Sequence, residues 1–183
     1  MKNYRGITGL VTPALLVAGY LIIPTTMKAA ETGDSTHISQ LLADVKAEAV
    51  ELKHDSADME SFTKSKLSWE SYASKIEMIK GHVNNTGKLL VKLQEAEGTA
   101  STWQEVAIKR IEPLLKELAA NTEATINHLN ENRTKIHFTE FKDYVKANYE
   151  LATDLEALIR NFVNYGEAKQ KFERLGEKLE ITG

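Results

Sequence analysis

Cysteine is absent from the chain, and that absence removes several chemistries at once. Disulfides, thiolate-bound zinc, covalent c-type haem attachment and cysteine nucleophiles are all excluded. Proline and glycine are scarce, at 3 and 10 of 183 residues, and aromatic residues make up only 7%. With 42% apolar and 27% charged residues, the composition points to helices rather than many short strands. A basic surplus is also lacking, since the formal net charge is −3. No Gly-rich phosphate loop and no Gly-x-Ser-x-Gly elbow occurs in the sequence.

The first thirty residues differ from the rest. Lys2 and Arg5 precede an uncharged run over residues 6–27, whose apolar heart is residues 7–23. A basic start, an apolar helix and then the small Ala29 and Ala30 read as an export signal over residues 1–30. The run is long for a signal, and Met27 or Lys28 would stand where cleavage prefers a small residue. The alternative is a retained membrane anchor spanning through residues 7–23. Either way Lys2 and Arg5 hold the start in the cytoplasm and send the rest outward. The expected location is the periplasm, free or tethered to the inner membrane. Those thirty residues carry three basic side chains and no acidic one. The remainder thus holds 20 Lys and Arg against 26 Asp and Glu, a charge of −6. Nucleic acid is an unsuitable partner for such a surface.

After a polar linker at 31–36, the spacing predicts four helices over residues 37–183. Apolar residues recur every three or four positions. In the first helix they are Ile38, Leu42, Val45, Ala49, Leu52 and Met59, with Ala57 slightly out of phase. The second carries Tyr72, Ile76, Ile79, Val83, Thr86, Leu90 and Leu93. The third carries Ile111, Leu115, Leu118, Thr122, Thr125 and Leu129, with a change of phase expected at Pro113. The fourth repeats every seventh residue, at Tyr144, Leu151, Leu158, Tyr165, Phe172 and Leu179. Ser68 reads as an N-cap, and a capping box begins at Thr102 or, one residue earlier, at Ser101 with Gln104. Short connections make consecutive helices antiparallel, which gives an all-α, up-down-up-down antiparallel four-helix bundle. The fourth segment, about 44 residues, outlasts the third by about 12 residues, or about 18 Å of helix. Its surplus carries Phe172, Leu175 and Leu179, an apolar face in need of a partner.

Catalytic signals are thin. Glu51 and His54 have the Glu-x-x-His spacing of di-iron bundles, but in one copy, and Leu52 on the core stripe turns both outward. The stretch IKGHVNNTGKLL puts Gly81 and Gly87 inside the second helix, at about 1 kcal/mol each against alanine. That cost suggests a close approach by a neighbouring helix, or by a ligand. His82 lies beside the core and is expected to lack a partner at its height, because His128 is about 18 Å away along the bundle. His54, His128 and His137 should gather at the end holding the first and third connections, and form a weak candidate metal site.

Three stretches, GHVNNTGKLL, STWQEVAIKRIEPLLKELAANT and FVNYGEAKQKFERL, make the chain resemble a group of exported, uncharacterised helical proteins of soil bacteria of the acidobacterial kind. The resemblance implies an exported helical bundle and brings no activity, cofactor or catalytic residue with it. The residues point to a non-enzymatic envelope bundle that binds another protein or itself, with Phe172, Leu175 and Leu179 as its contact face. The alternative is a periplasmic carrier of a small molecule or divalent metal.

Overall fold

A computed structural model describes residues 33–65, 67–134 and 139–180. The apolar run at 6–27 and His137 lie outside the described residues. Four helices form: α1 (Thr36–Phe62), α2 (Trp69–Ala96), α3 (Thr102–Glu131) and α4 (Thr139–Lys178). A single 3₁₀ turn, Glu97–Thr99, leads out of α2. The described residues contain no strand, and none of their helices is long and apolar enough to cross a membrane.

The helices pack in a ring, α1 on α2 and α4, and α3 on α2 and α4. Cross-helix bonds give their directions. Tyr72 donates its hydroxyl to the Phe62 carbonyl at 2.7 Å, while His82, further along α2, meets Glu48, further back on α1. Trp69 Nε1 donates to the Leu129 carbonyl at 2.9 Å, and Lys109 reaches Glu97 at 3.3 Å at the opposite end of that pair. Asn148 is held by Thr122 and Thr125, whereas Trp103 stacks edge-on against Tyr165. Lys53 meets Glu156, and Asp34, just before α1, meets Lys169. In every pair the numbers rise on one helix as they fall on its neighbour.

The stripes on α2 and α3 are buried as their spacing predicts. On α3 the stripe also continues back through Ile108, Ala107 and Gln104 without a phase change, and the helix runs unbroken through Pro113. The phase change expected at Pro113 does not occur, and Trp103 and Val106 lie off the core line. In α1 the turn at Asp55 and Ser56 is buried in place of Ala57, and Ser56 Oγ donates to the Leu52 carbonyl at 2.8 Å. The larger correction concerns α4. Its buried line is Phe141, Val145, Asn148, Ala152, Leu155, Ile159 and Val163, one position round from the seven-residue repeat. The core line on this helix is interrupted by the polar Asn148 and the small Ala152, so the Tyr, Leu and Phe repeat outshines it in the sequence. Those large side chains therefore sit on the shoulder of α4, partly or fully in solvent.

Candidate functional site

The site begins from a buried glutamine. Gln104 accepts from the backbone of Ser101 at 3.0 Å, closing the capping box on the earlier of its two possible frames. The same Oε1 accepts from Ser35 N at 3.0 Å, and Nε2 donates to Ser35 O and Ser39 Oγ at 2.9 and 3.0 Å. A single side chain thus fastens the start of α1 to the start of α3. Helix α1 starts at Thr36, within the stretch read as linker, and Ser35 caps it.

This clamp fixes Asp34 beside Trp103. Trp103 Nε1 donates to Asp34 Oδ1 at 2.7 Å, and Lys169 Nζ donates to the same oxygen at 2.8 Å. Burial pushes the Asp34 carboxyl upward, but the bonds from Lys169 and Trp103 outweigh it and hold the pKa below the ordinary 3.8. Across the indole lies Gly166, where a Cβ would come within 2.7 Å of Cη2 and 2.9 Å of Cζ2. Only a residue without a side chain lets the ring come this close to α4.

So buttressed, Trp103 walls a cleft of about 490 Å³ between α3 and α4, lined also by Val106, Arg110, Leu158, Phe162 and Tyr165. The Arg110 guanidinium stands 5.7 Å from the centre of the Phe162 ring, close enough for a cation–π attraction. Tyr165 is 54% exposed. Beyond Lys169, α4 passes the start of α1 and continues for nine residues, about 14 Å. On this overhang Phe172, Leu175 and Leu179 are 78, 47 and 66% exposed, as their unmatched position in the sequence predicts. A side chain as large as phenylalanine left this open is the informative exception on a protein surface.

His54 and His128 have separate surroundings. His54 is exposed, with Nδ1 at 3.7 Å from Asp58, and Glu51 is exposed beside it. His128 lies under Phe141 and Tyr144 with Nδ1 at 3.9 Å from Glu140. No described contact joins the two. His54, Asp55 and Asp58 do offer ligand atoms within 4.8 Å of one another. The Lys75 ammonium already bridges the carboxylates, at 3.0 Å from Asp55 and 3.1 Å from Asp58, and supplies the positive charge there. Burial lowers the Lys75 pKa, while its bonds to the two aspartates outweigh that and leave it above 10.5. His82 is also not alone. Its Nδ1 lies 2.8 Å from Glu48, and its Nε2 lies 3.5 Å from the buried Asp55. The expectation of a partnerless imidazole considered only histidines; its partners are carboxylates of α1.

Gly81 and Gly87 overturn a further expectation, because a Cβ at either would meet nothing within 4 Å. No other described helix comes within that distance of them. The tightly packed glycine is Gly166, which the sequence reading passed over because nothing nearby in the chain names its neighbour, Trp103.

The described residues form an all-helical unit of four packed helices with an aromatic cleft and an uncovered helix end. No protein-family model matches the chain, and neither a curated protein nor a solved structure matches it.

Proposed function

We propose that this up-down-up-down antiparallel bundle is a non-enzymatic interaction module, which binds through the Trp103 cleft and the adjoining end of α4. The observation that carries the reading is the run of exposed Tyr165, Phe172, Leu175 and Leu179 beside a preformed aromatic cleft. Interface cores are enriched in aromatic residues and arginine, and Trp103, Phe162, Tyr165 and Arg110 stand together here. A rigid clamp behind the surface, from Gln104 and Asp34, limits the ordering lost on binding. The same proposal places the module in the envelope, because Lys2 and Arg5 ahead of the apolar run suit a signal or anchor. The resemblance to exported bundles of soil bacteria is in keeping with that location. The test is a photo-reactive benzoylphenylalanine in place of Phe172 in the full chain, irradiated in the cell envelope. A discrete protein adduct is expected, and a chain that stays free at Phe172 overturns the reading.

A second reading rests on the same cleft. At about 490 Å³ it has the size of a small-molecule pocket. Its aromatic walls and Arg110 suit a planar anionic ligand, so the carrier alternative moves here from the histidines and from the Gly81–Gly87 segment. Metal carriage loses support, since Lys75 occupies the carboxylates next to His54.

A further inference from the structure

The apolar residues along the shoulder of α4 and just past its end, half-buried at Leu158 and Phe162 and exposed from Tyr165 onward, have an order that a generic docking face does not need. Leu158, Phe162, Tyr165, Phe172, Leu175 and Leu179 are separated by 4, 3, 7, 3 and 4 positions, the same read from either end. The midpoint falls between Ala168 and Lys169. A helix with such a mirrored stripe matches a copy of itself laid antiparallel, residue against residue, as an isologous two-fold contact requires. We propose that the partner is a second copy of this chain, docked along α4 about a two-fold axis beside Ala168. This deepens the interaction reading above and rests on it.

The pairing places Leu158 of one copy opposite Leu179 of the other, Phe162 opposite Leu175, and Tyr165 opposite Phe172. The first member of each pair lines the cleft, and the second belongs to the uncovered overhang. Each overhang therefore lies in the other copy's cleft, so that two unpartnered surfaces cover each other along about 32 Å of helix. Charge agrees with the register. Arg160, 47% exposed and 3.1 Å from its own Glu156, comes level with Glu177 of the second copy, and Arg110 comes level with the turn between Glu173 and Glu177. Two lysines approach the axis as Lys169 and its counterpart, but each already has a carboxylate of its own chain at 2.8 Å in Asp34. Ala168 at the crossing lets the helix backbones come close. A foreign helix would need none of this mirror symmetry; a second copy does.

The absence of cysteine makes the test clean. Ala168→Cys in the full chain gives one exposed thiol beside the axis, within about the 7 Å Cα separation a disulfide tolerates. Mild oxidation should link it as a dimer, while Lys146→Cys, exposed near the other end of α4, stays monomeric. Phe172→Glu added to Ala168→Cys should weaken the dimer by about 30-fold, as for a hot-spot residue. Cross-linking of Ala168→Cys no faster than of Lys146→Cys overturns the proposal. If the benzoylphenylalanine at Phe172 then captures only a different protein, the interaction module stands and the second copy is rejected. If neither a dimer nor an adduct forms, both readings fall.

Discussion

Replacing Gly81 and Gly87 with alanine together should make this protein more stable. Both lie inside α2, and a Cβ at either position would find no atom within 4 Å. Nothing is overpacked, so the helix-forming difference between glycine and alanine, about 1 kcal/mol at each site, is recovered in full. The sites are six residues apart and share no partner, so the effects should add to about 2 kcal/mol. For a bundle of this size that is a rise of about 4–8 °C in Tm. Thermal and urea unfolding followed by far-UV circular dichroism would read it, with an unchanged urea slope showing that the folded state is the same. The same change at Gly166 should behave differently. Its Cβ would stand 2.7 Å from Trp103 Cη2, and overpacking of about 1–3 kcal/mol offsets or exceeds the helical gain. Trp103 would leave Asp34, and its fluorescence would shift to the red. An unchanged or lowered Tm in the Gly81/Gly87 double variant would refute the argument, since it would mean that this open face is covered in solution.

Other expectations follow from the charged and polar clusters. Lys75→Met strands the Asp55 and Asp58 carboxylates and should destabilise by about 3 kcal/mol, the low end for a broken buried pair because Asp58 is partly exposed; adding Asp55→Asn should recover part of it. Because the folded Lys75 pKa is raised, its contribution is complete below 10.5 and lost as pH climbs through the folded value. An alkaline loss of stability should therefore disappear in that variant. The folded Asp34 pKa is depressed, so its contribution is present above 3.8 and lost as pH falls through the folded value. In a Trp69→Phe background the fluorescence of Trp103 should report this acid step, and Asp34→Asn should remove it. Gln104→Leu removes partners from Ser35, Ser39 and Ser101 at once and should cost about 2–3 kcal/mol in urea unfolding.

What the sequence revealed followed where large apolar residues mark the core. On α2 the seven residues of the stripe are those that are buried, because they alone recur at unbroken three- and four-residue spacing, whereas Met78 and Val91 stand off that line and are exposed. On α4 the large residues mark a different face. Asn148, Ala152 and Glu156 interrupt the apolar core line of Phe141, Val145, Leu155, Ile159 and Val163 there, and the polar two are made compatible with burial by Thr122, Thr125, Lys53 and Arg160 from elsewhere in the bundle or chain. Sequence spacing holds no record of such partners. The capping box offered two frames of equal local merit, and Gln104 decided between them through contacts with Ser35 and Ser39, about seventy residues away in the chain. The cleft was invisible for the same reason, since Asp34, Trp103, Gly166 and Lys169 meet only after folding. The overhang was legible because it depends on helix lengths alone.

The most direct test of the account is the mass of the full chain in mild detergent by analytical ultracentrifugation, across a dilution series, beside a Phe172→Glu, Leu179→Glu variant. Both substituted side chains are exposed, so the fold should survive, as circular dichroism would verify. The account predicts a dimer that dissociates on dilution for the natural sequence and a monomer for the variant. Identical mass for the two at every concentration would contradict it.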